Sequence, residues 1–353
     1  MNKIIITLLV LTYSLSLFAR VPKIVFVSPD PIDTKNRFWH DTIKYFNVAS
    51  KSLGIDSKVI YGHANRYEYL EAVKKGFLEK PDFLITIIFN NAVKTILESS
   101  QSTNTKILFI NGKMSASESK EVGQPREKYP NWIGQFYPDD VEAGRLELDC
   151  LTKGKKLVKG KYKLLAVNGA LDSPAAIDRA EGLNAGVKKL GFDLTDIFYG
   201  AWDESRGFLF GQKYIDNKSD YYFWTGSDLM AIGLSKKTDE LKAHNNVHIA
   251  GIDWNHEAID LVRNKKIDCS VGGHHLEIFY ATVALYDYFN GIDFKDDLGL
   301  TFKSPFYVID QSNADKYVKF VESADKVDAK KFSKAFSPKL KKYKFNQIVK
   351  DFY

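Results

Sequence analysis

Cysteine, methionine and proline are scarce in this chain of 353 residues, which has two, three and ten of them. Two cysteines allow at most one internal bridge, so a disulfide-stapled miniature scaffold is excluded. Ten prolines with 23 glycines are too few for collagen-like or low-complexity sequence. A strong charge of one sign is also missing: 50 Lys and Arg against 44 Asp and Glu give +6, too mild an excess to imply nucleic acid without a clustered basic face. Mean hydropathy is −0.26, which excludes a polytopic membrane protein. What is present is 44% hydrophobic and 14% aromatic content, enough apolar surface for two cores at a length that suggests two domains. A soluble globular protein with a small-molecule ligand, and with no nucleic acid partner, is the implication.

The first nineteen residues read as an export signal. Asn2 and Lys3 make a short positive start, Ile4 to Leu17 is mostly apolar, and Phe18-Ala19-Arg20 follows. The apolar run is too short to span a bilayer. Cleavage falls after Ala19 or after Ser16, and no cysteine lies near either site to accept a lipid. The mature chain is therefore expected free in an exported compartment. Cys150 and Cys269 read as two small core hydrophobes, with a bridge left open because sequence separation shows no proximity.

Apolar, β-rich runs alternate with amphipathic helical segments along the rest of the chain. Lys23 to Ser28 reads as a strand, and Trp39, Ile43, Phe46, Ala49 and Leu53 form one buried helical stripe that Gly54 ends. Strands at Val59 to Tyr61, Phe83 to Phe89 and Ile107 to Ile110 alternate with helices at Tyr69 to Leu78 and Ala92 to Leu97. Because Phe83 to Phe89 and Ile107 to Ile110 are almost continuously apolar, they belong in a parallel sheet covered on both faces. Ser115 to Asn131 breaks the rhythm with polar, Gly and Pro residues. A second βα series then runs from Lys163 to Asn264, and strand Asp268 to Val271, helix Leu276 to Phe289 and strand Pro305 to Ile309 close it. The fold class is α/β, with two doubly wound parallel-sheet domains.

Ligands of open α/β sheets bind outside the carboxyl ends of the strands. The residues at those positions are Asn36-Arg37-Phe38-Trp39, Asn111, Asp172 to Arg179, Trp202-Asp203, Gly226-Ser227-Asp228, Asp253-Trp254 and His274-His275. Aromatic faces cover the C–H faces of a sugar ring, while Asp, Asn and Arg exchange charge-assisted hydrogen bonds with its hydroxyls. Capture of a small polar solute is the chemistry these positions suit.

Several stretches also carry a resemblance. Asn36-Arg-Phe-Trp39, Asp178-Arg-Ala-Glu-Gly182, Thr225-Gly-Ser-Asp-Leu-Met-Ala231, Gly251-Ile-Asp253 and Lys265-Lys-Ile-Asp-Cys-Ser-Val271, in that order, resemble the type I periplasmic solute-binding proteins of ribose- and galactose-binding type. The likeness runs from about Lys23 to Ile309. It implies two Rossmann-like lobes joined by a three-segment hinge with crossings near residues 136, 273 and 304. The amino-terminal lobe would hold 20–136 and 274–304, the carboxyl-terminal lobe 137–273 and 305–325, and a basic tail 326–353. It further implies a periplasmic monomer, without cofactor or metal, that closes on a sugar-like ligand and presents it to an inner-membrane ABC permease, sensor kinase or cyclase. Phe38, Trp39 and Trp202 would sandwich the ligand ring, Arg179 and Asp253 would bind its hydroxyls, and Asn36, Asn111 and Ser227 would complete the contacts. Trp254 and His274 join that set by their strand-end positions. A carbohydrate-active enzyme on this scaffold, or capture of a non-sugar signal such as an autoinducer, stays open.

Adjacent residues on a strand point to opposite faces, so one at most of His274 and His275 enters the cleft, either for ligand contact or for hinge packing, and a two-His metal site is poor geometry. Asp228 reads as a helix cap ahead of a ligand contact. The chain has no Gly-x-Ser-x-Gly elbow, Gly-rich phosphate loop, His-Glu-x-x-His or paired-cysteine motif, so no catalysis is expected. Between Lys326 and Lys350 stand nine lysines and one acid, Asp328, interleaved with Phe332, Phe336, Leu340, Tyr343, Phe345 and Ile348. That pattern reads as a segment packed by its apolar side with its lysines solvated. Its wording also resembles family members that partner membrane-bound sensors, where it would add a docking patch.

Overall fold

The computed structural model describes residues 20–33, 37–63, 65–89, 91–155, 157–158, 160–216, 219–350 and 353. The expected signal over residues 1–19 and the candidate ligand residue Asn36 lie outside the described residues. From the amino end run β1 (Lys23–Ser28), α1 (Arg37–Leu53), β2 (Asp56–Tyr61), α2 (Arg66–Leu78), β3 (Phe83–Ile87), α3 (Val93–Ser100), β4 (Lys106–Ile110), α4 (Ala116–Val122) and β5 (Trp132–Pro138). A second series follows: α5 (Asp140–Thr152), β6 (Tyr162–Asn168), α6 (Pro174–Leu190), β7 (Leu194–Tyr199), α7 (Glu204–Tyr214), β8 (Asp220–Thr225), α8 (Asp228–Leu241), β9 (Val247–Ile252), α9 (His256–Arg263) and β10 (Cys269–Gly272). The chain continues with α10 (Glu277–Phe289), α11 (Lys295–Leu298), β11 (Thr301–Ser304), β12 (Tyr307–Asp310) and α12 (Ala314–Glu322).

These strands form two six-stranded sheets, ordered β2-β1-β3-β4-β5-β11 and β7-β6-β8-β9-β10-β12. Each begins with the same 2-1-3-4-5 order of a doubly wound sheet, so the crevice at the reversal of strand order lies beside β1 and β3 in one lobe and β6 and β8 in the other. Every residue of β3 is buried and β4 is buried beyond its first residue, as their unbroken apolar runs require. The chain passes between lobes at Asp139, at Gly273–Leu276 and at Pro305-Phe306. β12 departs from the parallel pattern: it pairs antiparallel with β10, because the chain re-enters the sheet directly after the third crossing with no helix to reverse it.

Two readings of the sequence change, and one helix is added. Ser115 to Asn131 holds α4, started by Ser115, whose hydroxyl accepts the Glu118 N–H at 3.2 Å. This is a Ser-x-x-Glu capping signal that the local Gly and Pro content masks. α12 packs on α9 and ties to it through Arg263 and Asp315 at 2.7 Å. Cys150 and Cys269 are joined by a disulfide, which fastens α5 to β10 inside the carboxyl-terminal lobe, so neither is a free core thiol.

Candidate functional site

Residues that follow the strands of the two lobes meet across the crossings. Lys113, after β4, stands 3.7 Å from Asp178 on α6, and Asp41 on α1 stands 3.7 Å from His256 on α9. Between these pairs lies a polar cluster built around Arg179. Its position depends on Gly144: a Cβ there would come within 2.0 Å of the Arg179 carbonyl oxygen, so only glycine lets α5 lie against α6 this closely. That contact brings the first residue of α5 to Arg179, whose Nε donates to Asp140 Oδ1 at 2.8 Å and whose Nη1 donates to the Gly226 carbonyl at 2.6 Å. Nη1 also stands 3.9 Å from Asp253 Oδ1. Burial works against the guanidinium charge, but Asp140 and Asp253 hold its pKa above the ordinary value. Burial lifts Asp140 to about 6 despite Arg179, so at neutral pH both partners are charged.

His274 completes the centre. Its Nε2 lies 3.5 Å from Asp253 Oδ1, and its ring is stacked against Phe38 at 4.5 Å and tilted against Phe306 at 4.7 Å. Burial holds its pKa well below the histidine range, and Arg179 adds to the effect. The ring is therefore neutral, with one nitrogen a donor and the other an acceptor. Nδ1 and the buried Ser227 hydroxyl have no hydrogen-bond partner among the described residues. Trp202 closes one side, with the Arg179 guanidinium 5.6 Å from its ring centroid. Gly169 makes room for it, since a Cβ there would stand 2.0 Å from the indole.

The backbone is strained at the same places. Asn111, Trp202, Asp253 and Trp254 have φ of +52°, +63°, +135° and +63°, a region that costs a side-chain-bearing residue on the order of 1–3 kcal/mol and gathers at functional sites. The Asn111 N–H donates to Glu277 Oε1 at 2.6 Å, and the Ser304 hydroxyl donates to Oε2 at 2.6 Å. Glu277 thus ties the β4 loop to β11 at the third crossing; burial lifts its pKa to about 8.

Of the residues expected in the site, Phe38, Arg179, Trp202, Ser227, Asp253 and His274 are brought together, and Asn111 lies at the edge of the group through its backbone bond. Two are not in it. Trp39 is 7% exposed and packs edge-on against Phe38 within the amino-terminal core. Trp254 is fully buried, its indole N–H donating to the Ser270 carbonyl and its rings lying 5.0 Å from Tyr317. Its left-handed φ turns the indole under Gly272 and away from the crevice. His274 and His275 lie on a 3-10 turn, not a strand; His275 faces Tyr45 and Trp254, so they diverge all the same. Asp228 does not cap α8: its carboxylate accepts from the Ser270 hydroxyl and the Asn255 N–H, locking the ends of three strands together. Burial raises both Asp228 and Asp253; the charge of Asp253 raises Asp228 further, while Arg179 pulls Asp253 back down. Asp140, Phe306 and Glu277 went unanticipated. Asp139-Asp140 before an apolar helix looks like a cap, and only the packing of α5 on α6 reveals the Arg179 contact. No cluster of three metal-ligating side chains occurs among the described residues.

Two lobes, three crossings and a polar, aromatic-walled site between them define a hinge-linked solute-binding protein. A family model described as a periplasmic binding protein domain matches residues 25–291, and the chain belongs to that family. Among solved structures it is similar to a periplasmic sugar-binding protein from Pseudomonas fluorescens, with TM-score 0.81 and 24% identity over 93% of this chain and 99% of that one. It is also similar to an ABC transporter solute-binding protein from Actinobacillus succinogenes 130z with bound D-allose (TM-score 0.71, 15% identity, 84% of this chain and 100% of that one). The arabinose-binding component of an ABC transporter from Shewanella sp. ANA-3 matches with TM-score 0.71 and 16% identity, covering 86% of this chain and 96% of that one. No curated protein sequence matches. No helix among the described residues is long and apolar enough to cross a membrane.

Proposed function

We propose that this protein captures a neutral sugar or a similar polyhydroxylated compound in the periplasm, without chemical change, by closing its lobes over the Arg179–Asp253–His274 cluster. The observation that carries this reading is the pair of buried polar atoms, Ser227 Oγ and His274 Nδ1, that find no partner within the described protein. A buried polar atom left unpaired costs about 1–3 kcal/mol, and a ligand hydroxyl between the lobes relieves that cost at both. Phe38, Trp202 and Phe306 offer the faces against which a sugar ring stacks. The solved neighbours that hold allose or arabinofuranose support the ligand class, and those named as ABC transporter components support an importer as the partner. A sensor kinase or cyclase would read the same difference between open and closed forms.

The test is thermal denaturation against a panel of neutral carbohydrates. A true ligand at about a hundredfold excess over its Kd adds about 2.7 kcal/mol of stability and is recovered chemically intact. Turnover of the sugar would establish an enzyme instead. A panel with no stabilising member would leave the sugar reading without support.

A further inference from the structure

The positive excess of the whole chain is confined to one segment. Residues 326–350 carry nine lysines and one acid, a surplus of eight, whereas the full chain carries only +6. The other 328 residues are therefore slightly acidic, at −2.

This segment is folded down on the amino-terminal lobe. Asp328 accepts from the Ser52 hydroxyl at 3.0 Å at the end of α1. Phe345 stacks on Tyr280 at 4.5 Å and Phe336 on Tyr286 at 5.4 Å, both along α10. Phe345, Ile348 and Val349 are buried against the lobe, and Lys334 turns in with them to Asp297 at 2.9 Å. The other eight lysines are exposed, and among the described residues none of them pairs with a carboxylate. Like charges fixed at this density repel one another unless something outside the chain supplies the opposite sign.

The kind of charge narrows what that is. All nine are lysines and none is arginine. Ammonium groups act as point charges without the planar fork that grips a single carboxylate, which suits a diffuse field of phosphates. Among them Phe336 is 43% exposed, with Lys330 Nζ 5.0 Å over its ring, an aromatic at the level of the charges as in interfacial anchors. Beside it lies a shallow depression floored by Ile292, Pro338 and Leu340 and rimmed by Lys341. We propose that this face of the amino-terminal lobe docks reversibly on the anionic phospholipid headgroups of a bilayer.

Vesicle flotation tests the proposal. The full chain is compared on phosphatidylcholine vesicles with and without phosphatidylglycerol, beside a variant carrying Lys339→Gln, Lys341→Gln, Lys342→Gln and Lys344→Gln. A control carries Lys75→Gln, Lys120→Gln, Lys188→Gln and Lys189→Gln, four exposed lysines elsewhere with the same loss of charge. The expected result is preference of the parent for phosphatidylglycerol that fades as salt rises, a loss of about tenfold or more in the tail variant, and little change in the control. Equal loss in both variants would mean net charge alone, and no preference in the parent would mean no membrane surface. Either outcome overturns the proposal, as does binding of the tail to an acidic protein partner with no binding to vesicles.

Discussion

Arg179 and Asp140 are 39 residues apart in sequence and 2.8 Å apart in space, with both side chains 5% exposed. A pair this deeply buried does more than hold a ligand. Removing one partner strands the other charge in a medium that cannot solvate it, a cost of about 3–5 kcal/mol. Arg179→Ala is therefore expected to lower the free energy of unfolding by that amount as well as to abolish ligand capture. Urea denaturation checks it: a parental midpoint for this variant would mean that Asp140 is accommodated without its partner.

Trp202 and Trp254 separate the site from the core. Trp202 borders the cleft, so Trp202→Ala is expected to weaken sugar binding by about 2 kcal/mol or more with a smaller effect on folding. Trp254 is wholly enclosed by Gly272, His275 and Tyr317, so Trp254→Ala is expected to cost about 3–5 kcal/mol of stability as a core truncation. Calorimetric titration and thermal melts on the two variants give opposite patterns if the assignment holds. Matching patterns would place both residues in one role.

Glu277 makes stability depend on pH with a definite sign. Its folded pKa of about 8 exceeds that of an unfolded carboxyl, which is about 4.3. The folded state therefore holds the proton more tightly, and this group lowers stability progressively as pH rises from about 4 to about 8. Glu277→Gln, which stays neutral and keeps an acceptor for the Asn111 N–H, is expected to flatten that slope. Melting temperatures of parent and variant, measured at pH 5 and pH 8, should diverge toward the alkaline end, the variant being the more stable there. Parallel curves would sink the assignment.

Most of the fold was legible because burial on two faces leaves a plain mark. The runs Phe83 to Phe89 and Ile107 to Ile110 are almost continuously apolar and have no polar face to offer, so they had to be central strands. The site was legible where function requires a side chain at a strand end, as at Arg179, Trp202 and Asp253. It was illegible where backbone conformation decides direction. Nothing local distinguishes Asp253, which stays at the crevice, from Trp254, which a left-handed φ turns inward. Nor does any short-range pattern show that α5 lies near enough to α6 for Asp140 to find Arg179, or near enough to β10 for Cys150 to meet Cys269.

The disulfide spans 119 residues, and a loop of that length restricts the unfolded chain by about 4–5 kcal/mol in the loop-entropy model. Replacing both cysteines by alanine is expected to lower the melting temperature while leaving sugar affinity nearly unchanged, since α5 and β10 also share a packed cluster with Leu148 and Trp224. Reduction of the parent should reproduce the shift. A double variant that melts with the parent would show that this cluster alone fixes the two elements.

Asp287 is the anchor of the carboxyl-terminal segment. Its buried carboxylate accepts from the Lys334 N–H at 2.7 Å, the Ala335 N–H at 3.1 Å, the Tyr343 hydroxyl at 3.0 Å and the Ser333 hydroxyl. A single side chain thus satisfies two backbone and two side-chain donors, which without it lose their bonds or must turn to water. Asp287→Ala is expected to free the segment from α10 while the two sheets, which do not depend on it, stay folded. Trypsin reads this directly, because the exposed lysines of 326–350 become cleavable once their backbone can enter a protease cleft. Faster cutting there, with the remaining fragment resistant, is the expected pattern. Unchanged cutting would mean that the aromatic stacks of Phe336 and Phe345 hold the segment without Asp287.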